Sequence, residues 1–315
     1  MQRTGIRRPH RGHDDGIDMR MTLSATAVTL LWQRQNIWSQ SADRLKARIT
    51  RSRVAALLLI MAGAVLGTAS SQVLDQQTTV GRVLAACAAV VLALASFASL
   101  GSSPQVVRDW TRARSVSEGI KADVYCYLAG VTPFHNEDRD RVALERLDAL
   151  TADTADIVKH TTGTDSVDRP LPRVRDVDTY AEVRVAHQIT GYYRPKAREM
   201  ARRVRFARLL EVTVSAVGAA LAAAVVVFPS ASTSAWIGIL TTLATAVAAH
   251  AGAARYEYQQ IEFTRTADEL ERLATHRAAT GASQMGDDQF VLACERVISI
   301  QNEGWMAKLS ATDQE

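Results

Sequence analysis

The sequence predicts an all-α membrane protein. Two transmembrane helical hairpins, four spans in all, are each continued by long cytoplasmic helices that form a bundle. Three observations predict this. Val54 to Leu74 and Val83 to Val107 contain no charged residue. Val212 to Ala254 holds only His250 as an ionisable group, and Pro229 with Ser230, Ser232 and Ser234 divides it in two. No segment shows the strict alternation of a half-buried strand. A hydrocarbon core about 30 Å thick needs roughly 20 apolar residues in helical form. Each half of each apolar pair reaches that length.

The chain has 315 residues and a net charge of +4, with a pI near 9.1 and a mean hydropathy of −0.05. That mean averages apolar blocks with highly charged ones. Residues 1–21 carry Arg3, Arg7, Arg8 and Arg11 among three glycines and lack the apolar core of a secretory signal. Disorder is expected there, and Met19 or Met21 is an alternative start. The first unit covers 22–160. Ser24 to Arg53 has neither Pro nor Gly and reads as one helix entering a span at 54–74. A second span follows at 83–103, and Ser115 to Leu128 continues it inward. Val142, Leu144, Leu147, Leu150, Thr154 and Ile157 recur at helical spacing, which predicts an amphipathic helix from Asp138 to Lys159.

Residues 161–177 read as a linker, with Gly163, Pro170 and Pro172. The second unit covers 178–309. Thr179 to Glu182 has a capping-box pattern, and Pro195 is placed to kink the helix that follows. Spans are expected at 209–228 and 235–254. Ile261 to Ala278 extends the last span. Phe290, Val291, Cys294, Val297, Ile298 and Trp305 mark a final amphipathic helix, and 310–315 is a tail.

Basic clusters sit beside the spans. Arg48, Arg51 and Arg53 precede the first, and Arg203, Arg205 and Arg208 precede the third. Such runs can serve nucleic acid or set topology beside anionic lipid. The positive-inside rule favours topology: both hairpin turns face out, and both termini with the middle segment are cytoplasmic. No nucleic-acid partner is expected. Glu211 is expected to pair with Arg208. An offset of 155 aligns Trp38 with Tyr193, Leu45 with Met200, Arg48 with Arg203, Arg53 with Arg208 and Gly63 with Gly218. Fixed-offset similarity argues for duplication of one unit. The copies share one orientation, unlike the inverted repeats of many transporters.

Catalytic signatures are missing. There is no phosphate-binding loop, no HExxH and no GxSxG. Cys87, Cys126 and Cys294 share no CxxC spacing, which argues against a disulfide framework and a zinc site. The chain is therefore expected to be no enzyme, with no catalytic, cofactor-binding or metal-ligating residue and no cofactor. Candidate pore-lining or helix-packing residues remain. Gly63 and Gly67 form a GxxxG on the first span, and Gly218 lies on the third. Gly238, Thr241, Thr242 and Thr245 mark one stripe of the fourth. His250 is ionisable within a span, although it lies close to Arg255 and the interface. Alanine-rich spans gain more from helix packing than from lipid, so a homo-oligomer in the bilayer is expected.

One family combines these features. Trp110, Arg114, Glu118, Ile120, Lys121 and Tyr125 follow the first hairpin. Tyr192, Tyr193 and Ala197 precede the second. Phe290, Val291, Glu295, Ile298, Asn302, Glu303 and Trp305 end the chain. With the doubled hairpin, these residues resemble a tandem member of the SLATT family, the SMODS- and SLOG-associating two-transmembrane effector domains, over Thr22 to Leu309. The resemblance implies a multi-pass protein of the bacterial inner membrane. It implies an effector in conflict systems that forms pores or disrupts the membrane once a partner senses infection or a nucleotide signal. No sensor is fused here, so a separate sensor protein is the expected partner. A membrane scaffold or adaptor, or a small ion-channel subunit without toxicity, is the alternative.

Overall fold

The computed structural model describes residues 14–74, 77–227, 231–280 and 285–311. Every regular element among them is helical. Helix α1 runs unbroken from Asp14 to Val73, a length of about 90 Å at 1.5 Å per residue. Residues 14–21 are thus helical where disorder was expected, and residues 1–13 lie outside the described set. Helix α2, Thr78–Ser99, returns against α1. A short 3₁₀ turn at Leu100–Ser102 separates it from α3, Pro104–Ala129. Pro104 opens α3 where a missing N–H costs nothing. Gly130, at φ 70°, closes it in the left-handed conformation that glycine adopts freely.

The amphipathic helix expected at Asp138 to Lys159 is shorter. Helix α4 spans Arg139–Thr151 and gives way to 3₁₀ turns at Ala152–Thr154 and Val158–His160. Thr151 and Thr154 turn their hydroxyls onto carbonyls three and four residues back, a bond that competes with helix propagation. Leu144 stays exposed, while Ala143, Leu147, Thr154 and Ile157 form the buried face.

The linker is packed along α1. Trp32 donates its indole N–H to the carbonyls of Arg169 and Pro170 at 3.0 and 3.1 Å, and Val174 is buried. The capping box lies three residues before the expected one. Asp176 accepts from the Thr179 backbone N–H at 2.8 Å, and the Thr179 hydroxyl accepts from the Asp176 N–H at 3.1 Å. Helix α5 is a single turn, Val177–Tyr180. Two π-helical stretches follow, Ala181–Ala186 and Gln188–Tyr193, and regular α6 spans Arg194–Val227. The expected irregularity near Pro195 is therefore a wide-turned segment ahead of it, ending where Pro195 can donate no backbone bond.

Helix α7, Ala231–Ala254, packs on α6 and also on α1. At Arg255 the chain takes φ 48°, and α8, Tyr256–Thr280, leaves from that break. Helix α9, Asp287–Ala311, packs on both α8 and α3. Among the described residues, three helical regions are long and apolar enough to cross a membrane: Ala27–Val73, Thr78–Ala129 and Val177–Ala224. The fourth expected span falls on α7, in which Ile237–Ala249 is an apolar stretch.

Outside the spans, one core unites the two halves. Trp32, Trp38 and Trp110 share it with Tyr180, Tyr193 and Phe290. Of the positions paired by the 155-residue offset, Trp38 and Tyr193 are both buried, as are Leu45 and Met200, whereas Gly63 is buried and Gly218 is not. Arg48 and Arg203 are both exposed.

The first hairpin is closely joined. The Ser70 hydroxyl donates to the Gly81 carbonyl at 2.7 Å, and the Ser52 hydroxyl donates to the Ala98 carbonyl. A Cβ on Gly81 would fall 2.7 Å from the Leu74 Cα, whereas one on Gly67 would meet nothing within 4 Å. Gly81→Val is therefore expected to cost about 1–3 kcal/mol through overpacking. Gly67→Val should leave the monomer's stability unchanged, as read by denaturant titration of the monomeric protein in micelles.

Candidate functional site

Beneath the spans lies a buried charge network built from three distant segments. Helix α3 brings Glu118, Lys121 and Tyr125. The α5–π segment brings Tyr180 and Arg184, one helical step apart. Helix α9 brings Glu295. Arg184 is 1% exposed and Glu295 is 7% exposed. The Arg184 Nε and Nη2 atoms each donate to one Glu295 oxygen at 2.9 Å, a bidentate fork. The Tyr180 hydroxyl donates to the same carboxylate at 2.9 Å. The guanidinium lies over the Tyr125 ring, 4.5 Å from its centroid. Its third nitrogen, Nη1, is buried without a hydrogen-bond partner.

Burial works against the charged form of Arg184, but Glu295 outweighs it and holds the guanidinium above its ordinary pKa. Burial likewise pushes the Glu118 carboxyl up. Lys121, Arg114 and Arg184 outweigh it, and Glu118 sits below the usual carboxylate range. Lys121 goes the other way. Burial, opposed by Glu118 at 3.9 Å and aided by Arg184 and Arg114, draws its ammonium down to about 8. The thiols have no such support: burial raises Cys126, and it raises Cys294 to about 12.

Further pairs brace the network. Asp123 receives Arg146 in a fork at 2.8–3.0 Å, which joins α3 to α4. Asp109 is buried and meets His160 Nε2 at 2.9 Å. Arg277 stacks over Phe290 and pairs with Asp287 at 2.8 Å, which joins α8 to α9. No group of three or more His, Cys, Asp or Glu side chains able to hold a metal ion occurs among the described residues.

The candidates in the spans are placed differently from one another. Gly63 is buried, and a Cβ there would meet the Leu92 side chain of α2 at 2.6 Å, so it packs within its own hairpin. Gly67, Gly218 and Gly238 have open space instead. Thr241, Thr242 and Thr245 are exposed on α7, their hydroxyls bonded back to carbonyls of their own helix at 2.9–3.0 Å. The side chain of His250 lies outside the described residues. Arg48, Arg51, Arg205 and Arg208 are exposed, and Arg53 is partly covered. Arg203 pairs with Glu199 at 2.6 Å and lies over the Tyr256 ring. Arg208 meets Glu257 of α8 at 3.3 Å, so the partner expected in Glu211 is replaced by one across the helix pair. Sequence reasoning missed Arg184. Its i to i+4 spacing from Tyr180 was legible, but its partner stands 111 positions away.

Residues 180–305 match the family model described as SMODS and SLOG-associating 2TM effector domain 1, SLATT_1. That segment is similar to a SLATT domain. The SLATT segment begins at Tyr180 and contains Arg184, Glu295, α6, α7 and α8. Residues 36–141 match a second family, described as a protein of unknown function (DUF4231), which takes in the first hairpin and α3. No curated protein and no solved structure matches the chain. The SLATT similarity and the helices long and apolar enough to span a bilayer imply a membrane protein with a membrane-associated effector role in conflict systems.

Two predictions follow from the network. Arg184→Met strands a buried carboxylate and should cost about 3–5 kcal/mol. The double variant Arg184→Met/Glu295→Leu should recover part of that loss, and a denaturant double-mutant cycle measures it. The Lys121 ammonium titrates in the fold near 8, below its ordinary 10.5. Between those values the unfolded chain binds more protons, so this residue adds stability as pH rises through that window. Thermal midpoints of wild type should gain on those of Lys121→Met between pH 7.5 and 9.5.

Proposed function

We propose that this protein is a non-enzymatic, pore-forming or membrane-disrupting effector of a bacterial antiphage system. It sits in the inner membrane as two tandem two-span units, four spans in all, with both termini cytoplasmic. It assembles as a homo-oligomer in the lipid bilayer, uses no cofactor and binds no nucleic acid. A separate sensor of a nucleotide signal acts on the helical body. The observation that carries this reading is the SLATT match over 180–305.

The open faces of the second pair of helices support it. Among the described residues, a Cβ on Gly218 or Gly238 would meet nothing within 4 Å, and Thr241, Thr242 and Thr245 are exposed. Small and hydroxylated residues left free on a span are suited to close contact with a second copy or to lining an aqueous path. In this reading the body helices hold the subunits shut until the sensor engages.

Induction of the full chain with its sensor in bacteria should collapse the membrane potential within minutes and admit a small dye. Thr242→Trp should abolish dye entry while leaving membrane insertion intact. Intact potential with the sensor present and triggered would instead assign the protein to a scaffold role.

A further inference from the structure

The second pair of spans carries an amphipathic groove that the effector reading does not use. It lies between α6, α1 and α7, with a volume of about 590 Å³, within the range of ligand sites. Its apolar wall is Leu57, Phe206, Ala207, Leu210 and Val247. Its polar end is Arg202 with Arg203, Glu199 and Tyr256. Arg202 also lines a neighbouring groove of about 450 Å³ with Arg198 and Arg205.

We propose that this groove binds one anionic phospholipid from the leaflet on the basic side of the membrane. Charge singles out the occupant. Glu199 is already shared by Lys196 at 2.8 Å and Arg203 at 2.6 Å. Arg202 and Arg205 are exposed and form no ion pair within the described residues. Two uncompensated guanidiniums one turn apart suit the oxygens of one phosphate. Depth singles out a lipid over a soluble anion. From Arg202 to Leu210 is about 12 Å along α6, so the apolar wall runs inward from the headgroup level. Phe206 and Leu209 are 68% and 65% exposed beside the charges. A headgroup at Arg202 and Arg205 would lay an acyl chain along Leu57, Leu210 and Val247. Tyr256 adds an aromatic ring at the interface, where such rings anchor. The proposal needs the chain in a bilayer and does not depend on pore opening.

Native mass spectrometry of the full chain from nanodiscs of phosphatidylcholine with phosphatidylglycerol tests it. Wild type should retain one phosphatidylglycerol per chain, at least tenfold in preference to phosphatidylcholine. Arg202→Gln/Arg205→Gln should lose that preference, and Ala207→Trp, which fills the apolar end without changing charge, should lose it too. Arg51→Gln, away from the groove, should keep it. Equal retention in all variants would overturn the proposal. Displacement of the lipid by millimolar inorganic phosphate would overturn it in favour of a simple anion site. A dimer in pure phosphatidylcholine that Ala207→Trp dissolves would overturn it in favour of a second copy in the groove.

Discussion

A guanidinium buried to 1% exposure has to be met by a carboxylate, and Glu295 meets it from 111 positions away. Neither charge can be desolvated alone without a cost of several kcal/mol. Together they fix α9 against the start of the second half. The Tyr180 hydroxyl and the Tyr125 ring add further points of contact, and Tyr125 belongs to α3. One pair therefore holds the first half, the second half and the last helix in a single register. Loss of either charge would release all three. The remaining core is largely apolar, and apolar contacts alone could slide. The bidentate fork cannot, because its geometry is directional.

The two pairs of spanning helices are held by different means. In the first, Gly63 and Gly81 let α1 and α2 approach closely, and Ser52 and Ser70 stitch the backbones together. In the second, α6 and α7 touch, yet Gly218 and Gly238 meet nothing within 4 Å. The hydrophobic effect cannot close such gaps in a bilayer, since lipid tails are as apolar as the side chains. Among the described residues the first pair is therefore the more closely joined of the two.

The helical class and the apolar segments were legible because a membrane span is a composition signal that needs no partner. The misread elements all depended on local bonds or distant partners. Helix α4 ends early because threonine hydroxyls bond back to the chain. The capping box sits at Asp176 because aspartate outcompetes threonine for the free N–H groups. Arg208 chose Glu257 over Glu211 because α8 comes back beside α6, which spacing along one helix cannot show. Arg184 looked like one more charge on a polar helix until the fold supplied its carboxylate.

The long helices and the breaks divide the mechanical roles. Helix α1 is continuous over about 90 Å and carries both a span and two of the three tryptophans in the described core, Trp32 and Trp38. Helix α6 likewise joins the body to a span without interruption. Both return paths are broken instead, at Leu100–Ser102 and at Arg255. A non-glycine residue at φ 48° costs about 1–2 kcal/mol, so the Arg255 joint persists only because packing on both sides enforces it. Continuous α1 and α6 thus give an unbroken mechanical path between the body and the spans, and the two joints are where the chain changes direction. The Arg208–Glu257 and Arg203–Tyr256 contacts lie beside the second joint.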